Sequence, residues 1–424
     1  MPTAQTEAAP TRSGVVAGYG LTLLFLANML NYADRSLLGI VVEPVRHELL
    51  LNDTQISIVS GFAFSLFFLI AGIAVAVWVD RGNRRVILVL GVGLWSVATA
   101  ATCFAQGFVS LALSRTLVGI GEATVFPVGL SLLADLYPGA RLARSVSIFQ
   151  SSSGVGVMAG SVLAGLLAAS LGWRMMFQLF GAAGLVLALL IAFTMRPTAR
   201  GIGADPPSLK DGGLFAATSA ILSVPGMGWL AVGYAASNMM FACLPIWAPA
   251  FLLRSHGVQL SQVGALVGPP AAIGGIAGTI LSGLLATRLI VRSGNRSAGL
   301  IVPIVALPIA APAYAVFLFA PSLPAVILGI AVMNFMLSSC LGPCIALAVS
   351  MVTSTRRGLT STLLLIVQTL LAFALAPLLV GMASDALTPV YGDEALRYAL
   401  ALMLASPPAA SLLIWLARRR IGAG

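Results

Sequence analysis

SRTLVGIGEATVFPVGL, residues 114–130, sets an arginine and a glutamate inside an otherwise apolar run. That run, 109–137, is long enough to cross a bilayer. A second run, 16–44, holds Asp34 and Arg35 in the same way. An isolated charge at bilayer depth costs roughly 2.5–3.5 kcal/mol on insertion scales. Four such groups are tolerated when they face one another or a wet cavity. Arg115 and Glu122 are seven residues apart, so they share a helical face with ~10.5 Å of rise between them. Gly119 and Gly121 keep that face open. Asp34 and Arg35 are adjacent and point ~100° apart, so they cannot face one partner squarely. Two acids and two bases at similar depth describe a transport pathway inside a helical bundle.

Composition sets the class. The 424 residues are 59% hydrophobic and 8% charged, with a mean hydropathy of +1.02. Soluble domains carry about a quarter charged residues. Polar breaks delimit twelve spans, near 16–44, 54–79, 86–106, 109–137, 143–170, 174–195, 229–253, 261–286, 298–319, 322–350, 359–384 and 398–417. The ten-residue alternating segments of a membrane β-barrel are absent. The expected fold is an all-α membrane protein with twelve transmembrane helices.

The formal charge of +10 raises the question of nucleic acid, and the placement of that charge answers it. Counted by alternate loops, seventeen of the 23 basic residues lie on the side of the termini and four lie opposite. Arg35 and Arg115 complete the total. This is the positive-inside bias, repeated at every inner segment. It predicts both termini in the cytoplasm, a bacterial-type inner membrane, the lipid bilayer as surroundings and no nucleic-acid partner. Cys103, Cys243, Cys340 and Cys344 all lie in apolar runs. Two histidines, His47 and His256, sit just past span ends, so a zinc cluster is not expected. The first span is too long for a signal-peptide core and contains charges, so it is expected to be retained.

The longest polar segment, 197–228, has a linker composition with Pro197, Pro206, Pro207, Gly212 and Gly213. It divides the chain into an N-terminal tail (1–15), a six-helix bundle (16–196), the linker, a second six-helix bundle (229–417) and a C-terminal tail (418–424). VDRGNRR (79–85) after the second span is echoed by TRLIVRSGNRS (287–297) after the eighth. The echo predicts two pseudo-symmetric halves with a site between them near the midplane. Glycines crowd the fifth span (Gly154, Gly156, Gly160, Gly165) and the eighth (Gly264, Gly268, Gly274, Gly275, Gly278, Gly283). Small residues let helices approach closely in lipid, either as static packing or as a moving contact. Prolines inside spans, including Pro127, Pro245, Pro249 and Pro377, predict kinks and freed carbonyls.

The protonation of a carboxylate at such a site depends on whether the site is wet, and from which side. Arginine stays charged. Asp34 and Glu122 are therefore candidate proton carriers, and Arg35 and Arg115 candidate counter-ions or anion-binding groups. The competing reading is a fixed ion-pair cluster that orients helices. Spans seven to twelve hold no deep charge. Their polar candidates are Asn238, Asn334 and Gln368, with Tyr234 and Trp247 as aromatic ones, and Asn31 joins from the first span. Asn and Gln also serve as interhelical glue. A charged wall facing an apolar one suits an amphiphile. Asp80 ends the second span ahead of Arg81, Arg84 and Arg85. An acid there can hold the positive N-terminus of a neighbouring helix and latch one conformation.

Twelve spans in two halves with D-R-G-N-R-R between spans two and three resemble the major facilitator superfamily. NYADRSLLGIVVEPVR (31–46), LNDTQISIVSGFAFSLFF (51–68), SRTLVGIGEATVFPVGLSLLADLYP (114–138) and STLLLIVQTLLAFALAPLLVGMASDAL (361–387) resemble its Spinster-like transporters. The anion:cation symporters share an N-Y-x-D-R start. The resemblance implies alternating access by rocking of two halves. It implies proton linkage through Asp34, Arg115 and Glu122, and a latch of Asp80 and Arg81 against the inner end of span eleven. It also implies a monomer and a small-molecule cargo, lipid-like as with lysolipids and sphingoid phosphates. The alternative cargo is an organic anion taken up with protons. Ala76 replaces a usual glycine of the loop motif, Asn83 replaces the second, and Thr287 stands where the second half would have an acid. A channel would need repeated polar rings. An enzyme would need nucleophile-base or metal spacing. Neither is present, so no cofactor is expected beyond the proton gradient.

Overall fold

A computed structural model describes residues 12–137, 140–195, 213–353 and 356–422. Among the described residues every regular element is helical. Ten continuous stretches are apolar and long enough to cross a membrane. Two of them are double. Arg144–Thr194 has 51 residues, or about 75 Å if straight, against ~30 Å of hydrocarbon. It breaks at Gly172, whose φ of +83° only glycine adopts easily. Arg357–Ile421 breaks at Gly392, φ +55°, behind Tyr391.

The twelve crossings are α1 (Val16–Ile40), α2 (Asp53–Val79), α3 (Arg84–Phe104), α4 (Phe108–Leu136), α5 (144–171), α6 (173–194), α7 (Met227–His256), α8 (Leu260–Ser293), α9 (Arg296–Phe319), α10 (Leu323–Ser350), α11 (357–391) and α12 (395–421). They form two six-helix bundles, as the sequence predicts. A short helix, Gly213–Leu222, precedes α7. We call the end where α1 begins and α12 finishes the terminal end, and its opposite the far end.

The Gly-Asn-Arg echo has one local cause in both halves. The Asn83 side chain accepts from the N–H groups of Arg85 and Val86 and starts α3. The Asn295 side chain accepts from Ser297 N–H and starts α9. Asparagine is a preferred N-cap, while glycine there would leave those donors without a side-chain acceptor. Asn83 thus gains a cap where the superfamily motif spends a glycine.

The glycines divide by role. A Cβ on Gly160 would lie 2.5 Å from Ala33 Cα, and one on Gly156 would lie 2.2 Å from the Met29 carbonyl, so α5 is pressed onto α1. Gly274 and Gly278 serve α8 against α10 likewise. These are contacts within one half. Gly264 instead meets the Ser161 carbonyl of α5, at 1.9 Å from a built Cβ, and Gly39 of α1 meets the Pro245 carbonyl of α7 at 1.8 Å. Those two are seams between the halves, both toward the far end.

The apolar core has the same asymmetry. One cluster joins the C-terminal half to far-end residues of the first half, including Leu37, Ile40, Val45, Ile56 and Phe177. A second cluster, with Leu23, Ile87, Leu132 and Ile191, belongs to the N-terminal half alone. The halves are fused at the far end and separate at the terminal end.

Two π-helical turns meet at this fusion. Ile58–Ala63 interrupts α2 and Thr369–Leu375 interrupts α11. A Cβ on Gly61 would lie 3.1 Å from the Phe373 carbonyl. Ser57 Oγ donates to the Pro377 carbonyl at 2.7 Å, tying the helices just beyond.

Candidate functional site

The four deep ionisable residues converge. α4 is built of two segments, Phe108–Glu122 and Val125–Leu136. Pro127 lacks an N–H and is tolerated in the first turn of the second segment. The break leaves the Glu122 carbonyl without its helical donor, and Asn31 Nδ2 of α1 donates to it at 3.2 Å. Glu122 is thereby set at the end of a helical segment, facing α1.

Adjacent residues of α1 then reach different turns of α4. Arg35 Nε lies 2.7 Å from Glu122 Oε2. Arg115 Nη1 lies 3.5 Å from Asp34 Oδ2. Thr99 of α3 donates to Asp34 Oδ1 at 2.8 Å. The ~100° offset between Asp34 and Arg35 is resolved by crossing to two partners, one α4 turn pair each. With both acids ionised the quartet carries no net charge, and each charge faces an opposite partner, which offsets part of the cost of burying it. Gly119 permits this: its Cβ would lie 2.9 Å from the Phe64 carbonyl of α2.

Exposure singles out one member. Asp34, Arg115 and Glu122 are at most 3% exposed. The Arg35 side chain is 30% exposed. Its guanidinium lies over the rings of Phe68, Tyr32 and Phe64, at 4.7, 4.9 and 5.5 Å. Arg115 sits 5.6 Å from the Phe64 ring. Cation–π contact keeps a cation partly desolvated without a second acid. Two buried atoms of the quartet have no hydrogen-bond partner, Glu122 Oε1 and Arg115 Nε. Replacing Thr99 with Val removes a hydrogen bond to a buried charge, worth about 2 kcal/mol. Thermal unfolding in detergent should show this loss, and Thr99→Ser should restore most of it.

The second half supplies no charge here. Asn238 and Asn334 each donate to a carbonyl one turn back on their own helix, those of Tyr234 and Ile330. Asn334 is fully buried. Trp247 is fully buried too, in the C-terminal core. Gln368 interacts with the Tyr234 hydroxyl across α7 and α11.

In the loop after α2, Arg84 pairs with Asp135 at the end of α4. Arg85 contributes its backbone N–H to the α3 cap. The side chains of Asp80 and Arg81 lie outside the described residues, and so does their expected contact with span eleven.

A clasp at the far end was not anticipated from the sequence. Arg254 at the end of α7 reaches into the other half. It donates to both oxygens of Asp53, at 2.7 Å each, and to Glu43 at 2.7 Å. Ser384 of α11 donates to Asp53 Oδ2 at 2.6 Å. The Asp385 carboxylate accepts from the N–H groups of Asp53 and Thr54, at 2.9 and 2.8 Å, and from the Thr54 hydroxyl. An acid of one half thus caps the first turn of α2 in the other. Nearby, outside the spans, the Glu48 carboxyl is held below the usual range by hydrogen bonds from the Trp173 indole and Arg174. Arg254 and Asp53 stand at span ends, where charge is ordinary. The available signal was six acids, at 43, 48, 53, 385, 393 and 394, on a side with four bases.

The Major Facilitator Superfamily model matches residues 24–377. An MFS-type efflux pump of Mycolicibacterium smegmatis is 31% identical over 97% of this chain and 94% of its own. Human protein spinster homolog 1 is 29% identical over 60% of this chain and 48% of its own. A crystal structure of a bacterial homolog of the human lysosomal transporter Spinster, inward-facing and unoccupied, superposes with a TM-score of 0.86 at 26% identity. It covers 96% of this chain and 98% of that one. The occupied inward-facing form of such a homolog gives 0.83. Helices, halves and sequence agree: the chain belongs to the Major Facilitator Superfamily and is a multi-pass membrane transporter.

Proposed function

We propose that the protein is a proton-coupled carrier of amphiphilic anions that works by alternating access. The observation behind this is that Arg35, the most exposed member of the quartet, is held by the buried carboxylate of Glu122. A proton on Glu122 and an anionic headgroup on Arg35 would each replace one side of that ion pair. Protonation would free Arg35 for the headgroup, and release of the headgroup would return Arg35 to Glu122. Asp34 would exchange its proton against Arg115 in the same way. Cargo and proton are then linked through shared partners rather than through distance.

The uncharged inner wall of the second half favours an apolar tail, with Tyr234 and Gln368 as its polar contacts. The arginine bias supports a cytoplasmic terminal end, and with it an inward-facing state closed at the far end. Asp80 and Arg81 would then engage only when the terminal end closes. Hexuronate and probable L-galactonate transporters also match, at 25% and 26% identity over 60% and 66% of this chain. They support a second reading, organic-anion/proton symport through Arg35 and Arg115.

Purified protein in liposomes with an internal pH dye separates these readings. Lysophospholipids, sphingoid phosphates and organic acids would be offered to wild type, Glu122→Gln and Asp34→Asn. Proton flux driven by the amphiphiles, and lost in both variants, is expected. Flux with organic acids alone would move the assignment to the second reading. Flux unchanged in both variants would reduce the quartet to a structural cluster.

A further inference from the structure

A groove of about 430 Å³ opens at the terminal end, far from the quartet, where the linker enters α7 beside the end of α12. Leu222, Val224, Pro225, Trp229 and Val232 form its apolar wall, and Arg420 stands in its lining. We propose that this groove binds an anionic phospholipid of the adjoining leaflet, with the headgroup phosphate on Arg420 and the acyl root along Trp229 and Val232.

The groove is built into the fold. Gly226 turns the chain with φ +83°, and a Cβ there would lie 2.7 Å from the Ala417 carbonyl of α12. The turn is pressed onto α12, and Met227 N–H donates to the Val224 carbonyl at 3.0 Å to fix its shape. Ile221 and Met227 are fully buried on either side of it. The wall between them is therefore preformed, and a ligand would not have to order it.

Position and charge select the occupant. Trp229 is 43% exposed in the first turn of a spanning helix, which is the level where tryptophan meets lipid headgroups. Arg418, Arg419 and Arg420 follow one another on α12. Arg419 lays its guanidinium over the Trp415 ring at 3.9 Å. Among the described residues no acid forms an ion pair with Arg420. A basic group at the membrane surface beside an apolar wall attracts anionic lipid. A zwitterionic lipid would bring its own ammonium against Arg420, so the charge selects against it. A lipid seated here would bridge the linker and α12, and so touch the one segment that joins the two halves.

The test is photolabelling of the full chain in lipid nanodiscs, with matched photoactivatable phosphatidylglycerol and phosphatidylcholine. Labelled peptides are read by mass spectrometry. Phosphatidylglycerol is expected to label residues 222–232 several-fold more than phosphatidylcholine. Arg420→Gln should reduce that labelling to the phosphatidylcholine level, and Arg419→Gln should leave it in place. Arg420 is exposed, and an unchanged melting temperature would confirm that its variant folds. Equal labelling by the two probes, labelling that survives Arg420→Gln, or no labelling of this segment would overturn the proposal.

Discussion

Replacing Arg254 with Gln is expected to open the far end. The substitution strips Asp53 and Glu43 of the cation that joins them across the two halves. The Arg254 side chain is 10% exposed and that of Asp53 4%, so solvent replaces little of the lost partner. Arg46 still lies 3.3 Å from Glu43 and 3.9 Å from Asp53, so the loss should stay below the about 3 kcal/mol of a pair broken to leave a bare buried charge. The relief is conformational, because the stranded acids regain water if the halves part. Spin labels at His47 and Gln259, exposed positions on opposite sides of the clasp, would report it by double electron–electron resonance. Wild type should give one short distance, and Arg254→Gln a second, longer population. Arg254→Lys keeps the charge but not the two-pronged geometry to Asp53, and should fall between. A fall in melting temperature with unchanged distances would mean that the clasp only stabilises the fold.

Two glycines of one helix should fail in opposite ways. In Gly264→Ala the new methyl group would lie 1.9 Å from the Ser161 carbonyl of the other half. In Gly278→Ala it would lie 2.1 Å from the Phe335 carbonyl of the same half. Neither clash can be relieved by a rotamer, since Cβ itself makes it. At 264 the halves can move apart as rigid bodies. At 278 the α8–α10 pair must separate inside a packed bundle. Overpacking of this kind costs typically 1–3 kcal/mol, and more where backbone is met. Gly264→Ala is expected to remain folded and to lengthen the same far-end distance. Gly278→Ala is expected to lower the melting temperature strongly, with the distance unaltered in whatever folds. Loss of folding in both would show that the α5–α8 seam is as rigid as the bundle interior.

The sequence made the members of the quartet legible because charge inside an apolar run is rare and costly. It did not make the pairing legible. Which acid meets which arginine depends on the rotation of α1 against α4. That rotation depends on the close approach of α5 to α1 at Gly156 and Gly160 and on the Asn31 bond to the Glu122 carbonyl at the break in α4. Most span ends were legible to within four residues, since length and polarity fix them, but α8 and α11 run seven residues past the expected 286 and 384. The glycine-rich spans were legible as close contacts, but not as two kinds of contact. Gly264 and Gly278 differ only in what lies opposite. The clasp escaped for the reverse of the reason that exposed the quartet. Arg254, Asp53 and Asp385 stand at span ends, where charge is ordinary, and only the fold shows that they come from different halves. Asn83 was visible as a departure from a motif, and its use as a helix cap became clear from its hydrogen bonds.

The paired π-turns of α2 and α11 have a consequence for how this chain can vary. A wide turn holds one residue more than the α-helix around it. Everything after it is out of phase by about 100° with the helix before it. Phe64 and Phe68 follow directly on the wide turn of α2, and they present their rings to Arg35 because of that phase. The clasp residue Asp53 lies before it. A one-residue deletion inside the wide turn would let it close into an ordinary α-helical turn and leave both the clasp and the rings in place. A deletion in this stretch that kept the wide turn would instead swing both rings about a third of a turn from the guanidinium. Among diverging copies of this sequence, loss of a residue between Asp53 and Phe64 should therefore go together with loss of the wide turn.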